Sequence, residues 1–225
     1  MTGASRGIGK ACAIALAQAG AHVIAVARTV GGLEECDDEI RKVGGTATLV
    51  PLNLRDFDAI DRLGATIHER WGKLDALLGN AGQLGVLTPI THMEPKTWAE
   101  VIDVNLTANW RLIRSLDPLL KASDAGRALF VTSGAARKHM AYWGAYALSK
   151  AALESLVLTY AAEIAGTSVK ANLINPGPMR TRMRAKAMPG EDPDLLPVPD
   201  AIAPLVVTML SPGYDKNGVT IDFQS

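Results

Sequence analysis

Short apolar runs alternate with helical stretches along most of the chain, and this alternation limits the fold more than any other feature. His22–Ala27, Thr46–Leu52, Leu74–Leu78, Ala128–Thr132 and Val169–Asn175 read as strands. Helical sequence lies between them at Lys10–Ala19, Leu33–Val43, about Asp56 to Trp71, about Lys96 to Lys121, and around Tyr146 to about Ala165. A helix near Asp200 to Leu210 and a strand near Val219 to Phe223 close the chain. Such alternation predicts an α/β chain, with a parallel sheet, right-handed crossovers and helices on both faces.

The 225 residues suit one α/β domain, or two small ones. Lys plus Arg (23) balances Asp plus Glu (23), which gives no electrostatic reason to expect nucleic acid or an anionic membrane as partner. Cys12 and Cys36 are too few for a disulfide framework or a metal site, and they fit a reducing, cytoplasmic setting. No apolar run is expected to reach membrane-spanning length, and no leader is expected.

The chemistry concentrates in a few patterns. Tyr146 and Lys150 are four apart, so on a helix they leave the same face. A phenol has a pKa of about 10, and an ammonium one turn away is expected to lower it. Ser133 follows the Ala128–Thr132 strand, at the carboxyl end where open α/β sheets bind ligands. Together these groups suit proton transfer to or from an alcohol or carbonyl. Taken alone, Tyr-x-x-x-Lys is also a common surface pattern.

Near the start, Gly3, Gly7 and Gly9 open a helical stretch. Glycines let the backbone turn and approach a ligand, and helix-start amides bind phosphate. The G-x-x-x-G-x-G spacing differs from the standard dinucleotide fingerprint, and an ordinary turn would read the same way. Where a dinucleotide fold commonly has an acidic residue for the ribose, this chain has Arg28, with Arg6 in the glycine loop. That favours NADP over NAD, although a solvated arginine reads alike.

Thr2-Gly3-x-x-x-Gly7-x-Gly9, Asn80-Ala81-Gly82, Asn105, Ser133, Tyr146-x-x-x-Lys150 and Pro176-Gly177 with Thr181 occur in one order across nearly the whole chain. In this the chain resembles the classical short-chain dehydrogenase/reductase family. The resemblance implies a single-domain Rossmann-type three-layer sandwich over residues 1–225, with a doubly wound parallel sheet, and an NAD or NADP cofactor. It implies Ser133, Tyr146, Lys150 and Asn105 as catalytic residues, Asn105 serving a proton relay at a helix distortion. Cofactor contacts are implied for Gly3, Ser5, Arg6, Gly7, Ile8 and Gly9, for Arg28, Asn53 and Leu54, and for Asn80, Ala81 and Gly82. Tyr146, Lys150, Pro176, Gly177 and Thr181 complete that set. His139, Met140 and Trp143 are candidate substrate contacts, and about 178–198 resembles a mobile substrate lid whose Arg/Lys cluster is either an anion attractor or a solvated face. The two long helices imply a homodimer or homotetramer.

Three departures qualify the resemblance. Asn53 stands where the family often has Asp, Gly79 replaces an Asn, and only Met1 precedes Thr2, so the first strand reads as truncated. A strand usually has five or six residues, and losing several buried ones forfeits on the order of 10 kcal/mol out of a total of about 5–15. The expectation is a non-native start or a fragment. The leading reading is an NADP-preferring oxidoreductase acting on a carbonyl or alcohol, and the alternative is an inactive or regulatory nucleotide-binding protein.

Overall fold

The computed structural model describes residues 1–224. Strand β1 (His22–Ala27) pairs in parallel with β2 (Thr46–Pro51), His22 opposite Thr46. A second parallel sheet runs in the order β3 (Ala76–Gly79), β4 (Arg127–Val131), β5 (Lys170–Asn175) and β6 (Thr220–Asp222). Every residue of β4 is buried, as expected of a central strand covered on both faces.

Met1 and Thr2 stand between the two sheets. The Met1 carbonyl accepts from Val26 N at 2.9 Å, and Thr2 N donates to Leu78 O at 3.0 Å. Thr2 makes a single parallel bridge to Val26. Two residues therefore hold the place of a full strand, and the apolar slot below them is walled by Ile24, Leu63, Ile67, Ala76 and Leu112. The chain winds outward from this point in both directions. Such a switch point is where open α/β sheets take ligands, at the carboxyl ends of the strands.

Helices cover both faces. On one, α3 (Phe57–Trp71), α5 (Ala108–Lys121) and α7 (Gly144–Glu163) share a core with Leu77, Phe130 and Leu173 through Ile60, Leu112 and Leu153. On the other, α1 (Gly7–Gln18), α2 (Val30–Lys42) and α9 (Ala203–Leu210) bring Cys12, Cys36 and Val206 against the sheet. Local signals set the ends of α3. The Asp56 carboxylate accepts from Ala59 N at 3.0 Å, and Gly72 ends the helix at φ 70°. The result is the single-domain Rossmann-type sandwich that the alternation and the resemblance implied.

Two expectations need correction. The stretch expected as one helix from Lys96 to Lys121 is α4 (Pro95–Ile102), a π-helical turn at Asp103–Thr107, and then α5. The stretch Pro193–Leu210 does reach the length and hydropathy of a membrane span. Its prolines break it into two 3-10 turns and the eight-residue α9, which buries Val206, Met209 and Leu210 in the core. We read it as a core element.

Candidate active site

The sheet order brings three loops to one mouth: the glycine loop, the Asn80–Gly82 turn after β3 and the Ser133 loop after β4. Backbone fit holds the first two together. The Thr2 hydroxyl accepts from Asn80 N and Ala81 N, both at 3.1 Å, and the Asn80 side chain donates to Thr2 O at 3.0 Å. A Cβ on Gly9 would stand 2.0 Å from Gly3 O, and Gly3 itself sits at φ 70°. Only glycine allows this approach, which leaves the first amides of α1 facing the mouth. Among the described residues no side chain caps that helix start.

The residues present therefore fit a nicotinamide dinucleotide. The α1 amides at Gly7, Ile8 and Gly9 suit its phosphates. Thr181 stands across from them, its methyl 3.7 Å from where a Gly7 Cβ would be. Ser5 packs against Gly32 at the start of α2, and Arg6 and Arg28 are exposed near it, without an ion pair among the described residues. Leu54 is buried behind the end of β2. Asn53 turns its side chain onto Arg55 N at 3.2 Å, so its own turn uses that oxygen. The Gly177 amide is likewise engaged, with Asn175 Oδ1 at 3.1 Å, while Gln224 donates to the Pro176 carbonyl at 2.8 Å. Thr181 caps the short α8 (Arg182–Ala187) by accepting from Arg184 N.

The proton-handling residues converge on the first turns of α7. Tyr146 is 8% exposed, and the Ser133 hydroxyl lies on the side of its phenol where it favours the ionised form. Lys150, one turn on, buries its ammonium and donates to Val131 O at 2.7 Å. Burial lowers the Lys150 pKa to about 8. Burial also raises the Tyr146 pKa, and the Ser133 hydroxyl only partly offsets it. The sequence led us to expect a phenol lowered by its lysine. The direction here is the reverse, because burial takes the ring out of water.

Asn105 explains the π-helical turn. It is fully buried, its Oδ1 accepts from Gln83 N at 2.8 Å, and its Nδ2 donates to Gln83 O and to Ser149 Oγ at 3.0 and 2.9 Å. The Ser149 hydroxyl in turn donates to Tyr146 O at 2.7 Å. The wider turn swings the Asn105 side chain to within 3.6 Å of the place a Gly82 Cβ would take, with Lys150 Nζ 3.7 Å from the same point.

Sequence reasoning missed several members of this site. Gln83 and Ser149 position Asn105, and Ser149 could have been flagged as a polar residue on the Tyr146 face. Asn175 joins two loops, accepting from Gly134 N and Gly177 N while donating to Asp222 at 2.8 Å. Asp222 forms a forked pair with Arg137, which also meets Glu154, and Glu154 accepts from Thr132 Oγ1 at 2.9 Å. Nothing in the spacing announced that chain. Of the candidate substrate contacts, Trp143 lies edge-on to the Tyr146 ring, centroids 5.9 Å apart, and Met140 packs beside it. His139 is exposed and ends the short α6 (Ala135–Lys138) in a left-handed turn at φ 44°.

The model of the short chain dehydrogenase family matches residues 1–192. The chain belongs to the classical short-chain dehydrogenase/reductase family. The uncharacterized oxidoreductase YciK of Escherichia coli K12 is 37% identical over 230 residues, covering 100% of this chain and 90% of that protein. A short-chain dehydrogenase from Shigella flexneri 2a complexed with NADP superposes at TM-score 0.95 with 37% identity, over 100% of this chain and 95% of that one. A short-chain dehydrogenase from Escherichia coli CFT073 complexed with NADPH gives TM-score 0.93 at 37% identity, over 100% and 95%. This dehydrogenase/reductase is thus an oxidoreductase with a nicotinamide-type cofactor fold.

Proposed function

We propose that this short-chain dehydrogenase/reductase is an NADP-preferring enzyme that interconverts a carbonyl compound and its alcohol. The observation that carries the reading is the group of Ser133 with the buried Tyr146 and Lys150 beside the Asn105 turn. The nicotinamide, when bound, supplies or accepts the hydride. Ser133 Oγ orients and polarises the substrate oxygen. Tyr146 Oη gives that oxygen its proton in reduction and takes it back in oxidation. A phenol whose pKa is raised holds its proton at neutral pH, which suits the reducing direction. Lys150 carries a titratable proton behind it, and the Asn105–Gln83–Ser149 bonds fix the turn that faces Lys150.

Arg6 and Arg28 support the NADP preference, since both are exposed beside the Ser5–Gly32 contact and suit a 2′-phosphate. The two relatives named with NADP and NADPH point the same way. Exposed Trp110 on α5, with Leu148 and Leu158 on α7, supports a homo-oligomer built on those helices. Light scattering on the purified protein checks this.

The test is Tyr146→Phe. The variant should bind NADPH as the parent does and lose roughly 10²–10⁴-fold in turnover of an aldehyde or ketone. Turnover at the parental rate would remove Tyr146 from the role.

A further inference from the structure

We infer that the substrate is an uncharged carbonyl compound with an apolar body, and that a carboxylate or phosphate on that body is rejected; this rests on the function proposed above. The floor around the Tyr146 phenol is apolar. Leu84 and Ala135 are buried against the ring, with Leu87, Met140 and Trp143 packed around them. The short helix α8 closes over this floor with its own apolar residues, Met183 and Ala187. The Met183 methyl carbon reaches 4.0 Å from the place of a Gly82 Cβ, the point that Asn105 and Lys150 also face. A substrate at Tyr146 must displace these lid side chains, and only an apolar body restores the contact they give up.

The cations that would favour an anion are mostly committed elsewhere. Arg184 forks onto Glu191, and Arg180 pairs with Asp194 at 3.2 Å. Lys186 donates to Gly85 O at 3.1 Å, and Arg137 is held by Asp222 and Glu154. Arg182, Lys138 and His139 are exposed, at the rim and not on the floor. Lys150 Nζ faces the reacting point but is buried and turned onto Val131 O, so a carboxylate on the body of the substrate, lowered onto Leu84, Met183 and Trp143, loses its hydration away from that ammonium.

The matched probes are methyl 4-formylbenzoate and 4-formylbenzoate, alike in shape and reacting group and different in charge. Binding to the protein–NADPH complex is measured by calorimetry, and turnover by NADPH absorbance. The ester should bind at least about 30-fold more tightly than the carboxylate, and Met183→Ala and Trp143→Ala should weaken the ester and leave the carboxylate unchanged. Equal or tighter binding of the carboxylate, or binding of neither probe, overturns the inference whatever the turnover. Selective binding of the ester without turnover supports the preference for an uncharged, apolar ligand and counts against the carbonyl chemistry proposed above.

Discussion

The two halves of the sheet are built by different means. The half made of α1, β1, α2 and β2 reaches the rest of the sheet through Met1 and Thr2 and through the Thr2–Asn80 bonds. Its site is shaped by backbone fit, with Gly3 and Gly9 in contact. The half from β3 to β6 ties its loops together with side chains far apart in sequence: Asn105 to Ser149, Asn175 to Gly134, Thr132 to Glu154. Cofactor placement therefore depends on what side chains leave out, and proton handling on buried polar bonds that are all made.

Four changes sharpen that contrast, from the largest effect down. Lys150 is held in the second half at a pKa of about 8, against 10.5 when unfolded. Between those values the unfolded chain keeps a proton that the folded one has lost, so stability rises with pH across this window. The cost of burying the ammonium is full below about pH 8 and gone near pH 10.5. Relative to Lys150→Met, the parent should gain roughly 3 kcal/mol between pH 7.5 and 10.5 in urea titrations. A difference that stays flat with pH would show an ordinary lysine pKa.

Gly9→Ala probes the other half. Its methyl meets Gly3 O, so the loop must shift, and NADPH affinity by fluorescence titration should fall about 10–100-fold, equivalent to roughly 1–3 kcal/mol. Parental affinity would mean that the close contact is not what places the cofactor. At the joint, Thr2→Val leaves two amides without their acceptor and should cost about 1–2 kcal/mol in thermal or urea unfolding. An unchanged midpoint would show that the backbone bonds alone secure the seam. Smallest of all, Asp222→Asn keeps an acceptor for Asn175 but loses the half-exposed pair with Arg137. It should change stability by less than about 1 kcal/mol, and a larger loss would show that the strut carries the loop geometry electrostatically.

Much of this was legible in the residues. β1 was readable to the residue, as His22–Ala27, and β4 and β5 to within one residue at each end, expected as Ala128–Thr132 and Val169–Asn175 and found at Arg127–Val131 and Lys170–Asn175. Glycine spacing located the loop, and the Tyr146–Lys150 spacing located one face of α7. What stayed hidden depends on the third dimension. The resemblance implied a distortion at Asn105, but the form and extent of the π-helical turn, Asp103–Thr107, depend on the contacts of Asn105 with Gln83 and Ser149. The Tyr146 pKa direction follows from the burial of its ring, and spacing gives the helix face without the depth at which that face is covered. The basic lid residues looked available because their carboxylates, Glu191 and Asp194, lie several residues further along the chain.

The two free thiols extend the contrast between the halves into time. Cys12 and Cys36 are both buried, and both belong to the first half, on α1 and α2. Burial pushes the Cys12 thiol up to about 12 and raises that of Cys36, so neither reacts while the fold is closed. Alkylation must then wait for the layer around them to part from the sheet, and its rate counts those openings. A molecule joined at Met1 and Thr2 carries, in its own cysteines, a clock for how often that seam gives way.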